Sequence, residues 1–126
     1  ALTFASSGLA SETPVTWASR AESPDGRTSP EELLAAALAS CFAMAFSNAL
    51  AKGGNTAEEL QVSANAHLDR KPEGGVKVSV IELTIRGRVP GMTADAFKAA
   101  AESQACPISA VLDGNVELKK SAELLG

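Results

Sequence analysis

The chain has 126 residues, a length that suits one domain with one hydrophobic core. Hydrophobic residues make up 45% and charged residues 21%, ordinary globular usage that excludes a disordered or fibrous chain. With 11 basic against 15 acidic residues, the net charge of −4 offers no excess of cations to neutralise phosphates, so nucleic acid is not an expected partner.

Leu2 to Ser6 and Val15 to Ser19 are short, mixed segments with a weak strand signal, followed by a turn-rich joint at Glu22 to Arg27. The strongest local signal is a helix from Pro30 to about Lys52. Ser29 stands at its N-cap, Pro30 at the first helical position and Glu32 at the third position of a capping box, and Gly53 and Gly54 end it. Leu33, Leu34, Ala37, Leu38, Cys41, Met44, Ala45 and Leu50 cover more than one stripe, the pattern of a central helix buried on most of its circumference.

Leu60, Val62, Ala64, Ala66 and Leu68 alternate with polar residues, the period of a half-buried strand. After a turn at Arg70 to Gly75, a second strand alternates as Val76, Val78, Val80 and then as Ile81, Leu83, Ile85. Its phase flips between Val80 and Ile81, where a bulge would restore the facing. The two runs form an antiparallel hairpin. Beyond Pro90 to Met92, a second helix begins after Thr93 and stops near Ala105, and a short third one runs from Pro107 to about Leu112 with Cys106 as its N-cap. Asn115 to Leu125 reads as a final strand. The class is α+β, an antiparallel sheet with a long helix packed on it.

The longest apolar run, Leu33 to Ala45, is broken by Ser40 and is shorter than the ~20 residues of a spanning helix, so no membrane segment is expected. No charged stretch leading into an apolar one marks a signal peptide, and two cysteines in a chain of this size are not a secreted disulfide framework, which together imply the cytoplasm. Two cysteines 65 positions apart and the single His67 supply no zinc site, and no cofactor is expected.

Taken alone, Cys41 in mid-helix reads most simply as a small buried hydrophobe. Cys106 differs, because an N-cap thiol faces the orphan amides and positive end of a helix, which favours thiolate. A thiol that reduces peroxide becomes a sulfenic acid and needs a second thiol to condense with it, so two cysteines are the minimum set. Their meeting would be a tertiary contact.

The segment TSPEELLAAALASCFAMAF, Thr28 to Phe46, places Cys-Phe ten positions after the Glu of a Pro-Glu step, and ESQACPISAVL, Glu102 to Leu112, carries Cys-Pro, a hydrophobe and Ser. Both resemble the paired motifs of the OsmC/Ohr family of osmotically inducible and organic hydroperoxide resistance proteins, and Glu31, Glu32 and Leu33 look more like the OsmC branch. The resemblance implies an OsmC-like fold assembled as an intertwined two-fold dimer, and a single domain over residues 1–126 that lacks the family's first strand. It implies a thiol peroxidase with Cys41 as the peroxidatic and Cys106 as the resolving cysteine, joined in a disulfide during the cycle. Glu31 matches the family's motif Glu, and its Arg maps to Arg20 in TWASRAES, with Arg27 as the other choice. The implied substrate is an organic hydroperoxide, an assignment that the apolar helix suits, and the implied reductant an external dithiol, a lipoyl group on a partner protein.

One point follows from helix geometry. Glu31 and Cys41 are ten residues apart on one helix, hence ~15 Å along its axis and on different faces, so Glu31 is expected to serve the Cys41 of a second copy across a dimer interface. The competing reading is a non-catalytic, stress-protective dimer of the same fold that holds an apolar ligand. A redox sensor would need a DNA-reading or partner-binding element, and the sequence shows none.

Overall fold

The computed structural model describes residues 1–9, 12–21 and 26–126. Four helices, α1 (Trp17–Ala21), α2 (Pro30–Lys52), α3 (Ala94–Ser103) and α4 (Pro107–Leu112), accompany three strands, β1 (Glu59–Arg70), β2 (Val76–Arg88) and β3 (Glu117–Leu124). Before α2, Leu2 bridges Thr13 antiparallel and Val15 bridges Thr28 in parallel. The second segment expected as a strand is therefore mostly α1, because a short run without clean alternation lets a local turn prevail. The joint at Glu22 to Arg27 lies, as far as residue 25, outside the described residues.

Helix α2 starts where its capping residues require. The Ser29 hydroxyl accepts from the Glu32 amide at 3.1 Å, but the Glu32 carboxylate takes the Thr28 hydroxyl at 2.8 Å instead of closing the expected capping box. Gly53 ends the helix and Gly54 reverses the chain at φ +86°, a conformation open to glycine. The buried side chains, Ala35, Leu38, Ala39, Phe42, Phe46 and Leu50, form one stripe at three- and four-residue spacing. The helix is thus not buried on most of its circumference: Ala36, Ala37, Ser40, Met44 and Ser47 face outward, Met44 at 74% exposure. By length and composition α2 is apolar enough to cross a membrane, longer than the run ending at Ala45 suggests, and here its buried stripe forms the core.

The sheet has the order β1-β2-β3. β1 and β2 form the expected antiparallel hairpin, but β3 pairs with β2 in parallel, so the sheet is mixed and not antiparallel. The physical reason is the connection: α3 and α4 carry the chain back across the sheet before β3 begins, which brings the strand in running the same way. The register passes from His67↔Val80 to Leu68↔Val78, leaving Ser79 as the extra residue, so the bulge precedes the expected phase change at Val80 and Ile81. From Ile81 onward every second residue points into the core.

That core unites Leu38, Phe42, Phe46 and Leu50 of α2 with Ile81, Leu83 and Ile85 of β2 and Phe97 and Ala101 of α3. Phe42, Phe46 and Phe97 stack in series, with ring centroids 5.5 and 5.4 Å apart. Few aromatics suffice because three of the five meet in one row.

Candidate active site

Cys41 lies on α2 one residue before buried Phe42, and Cys106 caps α4, which packs on α2. The fold brings the two together as free thiols, Cys41 half-buried and Cys106 buried. The two sulfurs interact, each shifting the other's ionisation, and the Cys106 sulfur accepts from the Ser109 amide at 3.5 Å. Pro107 lacks an amide hydrogen and opens α4, leaving the Ile108 and Ser109 amides directed at the sulfurs. The Ser109 hydroxyl accepts from the Cys106 amide at 2.9 Å and closes a capping box.

These contacts separate the two thiols electrostatically. Burial pushes the Cys106 thiol up, but the hydrogen bond from the Ser109 amide, followed by the effects of the Cys41 thiol and the polar groups of the first turn of α4, outweighs it and holds the thiol below its ordinary value. At Cys41 the Ile108 amide pulls down most strongly, yet burial together with the hydrogen bond to Cys106 and that sulfur's charge leave the thiol raised. Within one chain, therefore, the helix-capping Cys106 is the thiol whose ionisation the surroundings favour, and Cys41 is the one they oppose.

Arg20 and Glu31 form a second pair. The Glu31 Oε1 accepts from Arg20 Nε at 2.8 Å and from the guanidinium Nη2 at 2.7 Å, while Arg20 lies 5.6 Å from the Trp17 ring centroid. Glu31 is buried, and its Oε2 has no hydrogen-bond partner among the described residues. Arg27 is exposed. The four residues singled out in the sequence thus make two pairs: Arg20 is not among the groups that shift the Cys41 thiol, and ten residues of α2, about 15 Å, separate Glu31 from Cys41. An Arg20 guanidinium against the Cys41 sulfur of its own chain is not what the fold provides.

Lys120 was missed. It occupies an inward position of β3 between Leu118 and Ala122, and its Nζ donates to the Ala101, Glu102 and Gln104 carbonyls at 3.1, 3.2 and 2.8 Å. A lysine in phase with the apolar positions of a strand is the signal that would have found it. Burial pushes its ammonium below the ordinary value, and the charges of Cys106 and Glu102 pull it back up.

On the outer side of α2, a groove of 630 Å³ is lined by Ala36, Ala39, Ser40 and Ala43 with Leu60, Val62 and Ala64 of β1. It leaves an apolar surface open beside the turn that carries Cys41.

Residues 23–120 match the family model described as OsmC-like protein. The chain is 35% identical over 114 residues to Peroxiredoxin OsmC of Escherichia coli (strain K12), covering 89% of this chain and 78% of that protein. Among solved structures, an organic hydroperoxide resistance protein OsmC from Legionella pneumophila superposes with a TM-score of 0.64 at 27% identity, over 78% of this chain and 71% of that one. An organic hydroperoxide resistance protein from Elizabethkingia anophelis gives 0.66 at 26% identity, over 80% and 71%. With its paired cysteine motifs, its mixed sheet under a long helix and these matches, the chain belongs to the OsmC family.

Proposed function

We propose that the protein is a peroxiredoxin-type thiol peroxidase that reduces organic hydroperoxides to alcohols through Cys41 and Cys106. The observation that carries this reading is the contact of the two free thiols, one buried and one half-buried, on helices that 65 residues of chain bring together. The names of its relatives, a peroxiredoxin and two organic hydroperoxide resistance proteins, support the same class.

In the cycle, the Cys41 thiolate attacks one peroxide oxygen. A sulfur–oxygen bond forms, the oxygen–oxygen bond breaks, and the alkoxide leaves with a proton as the alcohol. The Cys106 thiolate then attacks the Cys41 sulfenic acid, a disulfide forms and hydroxide leaves to become water. An external dithiol returns two electrons by thiol–disulfide exchange. A lipoyl group on a partner protein meets this need, since its two thiols close into a ring as they are oxidised, and the cytoplasm keeps such donors reduced.

The first step needs Cys41 as thiolate, whereas in the single chain its thiol is raised. A second copy resolves the conflict in this reading: packed on the open face of α2 in a two-fold dimer, it brings its Arg20, anchored by its Glu31, to this Cys41. Support comes from the outward Ala36, Ala37 and Met44 and from the ~15 Å that separate the pairs in one chain.

The test is single-turnover reduction of tert-butyl hydroperoxide by prereduced protein, with mass spectrometry of the products. The wild type is expected to form a Cys41–Cys106 disulfide, Cys106→Ser to hold a Cys41 sulfenic acid and Cys41→Ser to be inert. Peroxide left intact by all three proteins, with thiols still reduced, would overturn the reading.

A further inference from the structure

Lys120 uses its three ammonium hydrogens on three carbonyls, Ala101, Glu102 and Gln104, at the C-terminal end of α3. That end carries orphan acceptors and the negative pole of the helix, so a cation there is held firmly. The same Nζ lies 5.0 Å from the ring centroid of Phe42, the residue after Cys41. Gln104 stands two residues before Cys106, so the lysine ties β3 to the short turn that delivers the Cys106 sulfur to Cys41.

We propose that Lys120 is a positioning residue for the resolving thiol: its fixed ammonium holds the α3–α4 turn in place and favours the Cys106 thiolate during attack on oxidised Cys41. The first half stands on geometry alone, and the second rests on the thiol peroxidase reading. In the assisted step the Cys106 sulfur supplies the electron pair of the new sulfur–sulfur bond. The sulfur–oxygen bond of the Cys41 sulfenic acid breaks, and hydroxide departs and takes a proton from solvent. Cys106 is oxidised and the sulfenic sulfur reduced, with no other reactant.

Cys41 from α2 bears directly on this sulfur, and the Cys106 charge pulls up the Lys120 ammonium of β3, the reciprocal of an ammonium that favours the thiolate. Glu102 at the end of α3 acts on Lys120, and Asp113 after α4 lines the same groove of 630 Å³ as Lys120 and Ser109. The carboxylates oppose the thiolate and the lysine favours it, so removing the ammonium has a defined sign.

The experiment titrates the thiolate absorbance of Cys106 in a Cys41→Ala protein that carries Lys120, Lys120→Met, Lys120→Gln or Lys120→Arg. Gln retains an N–H donor for the carbonyls without the charge, so it remains informative should Met not fold. Loss of the charge is expected to raise the Cys106 midpoint by roughly one unit. Below the midpoint the thiolate fraction then falls about tenfold while each thiolate becomes about threefold more nucleophilic, so alkylation slows about threefold net. Disulfide closure in the two-cysteine protein, after one equivalent of peroxide, slows by a similar factor, and Lys120→Arg restores both rates. An unchanged midpoint in the folded Gln variant would overturn the proposal. A threefold loss that persists above the midpoint, where all of the thiol is ionised, would overturn the electrostatic half and leave Lys120 as a strut of the α3–α4 turn alone. Failure of the wild type to consume peroxide would remove the peroxidase reading, whereas the Cys106 titration reports on Lys120 in either case.

Discussion

Glu31 shows how one residue carries two demands. Its carboxylate is buried in the first turn of α2, where the helix dipole favours negative charge, and one oxygen takes both guanidinium donors of Arg20. Arg20 is about one-third exposed, so solvent screens part of the pair, and Arg20→Met should cost only about 1–2 kcal/mol of stability, read by chemical denaturation. Its effect on the reaction should be larger. Removing the cation proposed to face a partner's Cys41 raises that thiol by roughly 1–2 units and slows sulfenic acid formation roughly three- to tenfold, measured by stopped-flow consumption of peroxide. The coupling of the two thiols has a definite sign as well. Contact with Cys106 and that sulfur's charge both raise the Cys41 thiol, so Cys106→Ala should lower the Cys41 midpoint. Cys41→Ala, by removing a donor to the Cys106 sulfur, should raise the midpoint of Cys106. Thiolate absorbance against pH checks both, and the effect of Cys106→Ala would be to let Cys41 react at lower pH.

Among the elements, β2 is the central strand, and its tightest contact is at Gly87. A Cβ there would stand 2.9 Å from two ring carbons of Phe97, a side chain with no exposed surface. Gly87→Ala should therefore destabilise by about 1–3 kcal/mol, which lowers the melting temperature by roughly 4–11 °C for a chain of this length. The Ser29 cap is a milder case. Ser29→Ala frees the Glu32 amide and should cost ~1 kcal/mol, with the Arg20–Glu31 pair in the same first turn weakened as it frays. Both values are accessible to calorimetry. A fully retained melting temperature in the Gly87 variant would mean that Phe97 can be displaced from the core.

For the whole molecule, the open question of assembly becomes a mixing experiment. If Arg20 and Glu31 of one copy serve Cys41 of another, Arg20→Met and Cys41→Ala proteins are each poorly active alone. An equal mixture should recover about a quarter of wild-type activity, because half of the dimers are mixed and each holds one complete site. A mixture that stays at the sum of its parts would place the whole reaction within one chain. The proposed dimer would use the exposed alanines and Met44 of α2 as its apolar surface, so substitution of Met44 by a charged residue should yield monomers of low activity, read by sedimentation.

The local elements were legible in the sequence because their signals are local. Ser29, Thr93 and Cys106 cap helices with their own side chains, Pro30 and Pro107 open them, and strict alternation from Leu60 to Leu68 dictates a strand with one wet face. The cysteine motifs are likewise contiguous stretches of chain, Thr28 to Phe46 and Glu102 to Leu112, which is why they pointed to the family. Everything that depends on which elements meet was decided by tertiary structure. The parallel entry of β3, the place of the bulge at Ser79, the contact of Cys41 with Cys106 and the docking of Lys120 onto the end of α3 all join residues from different elements. Capping and alternation act over a few residues of contiguous chain, whereas these contacts depend on how several elements fill one core, and no pattern along the sequence encodes that directly.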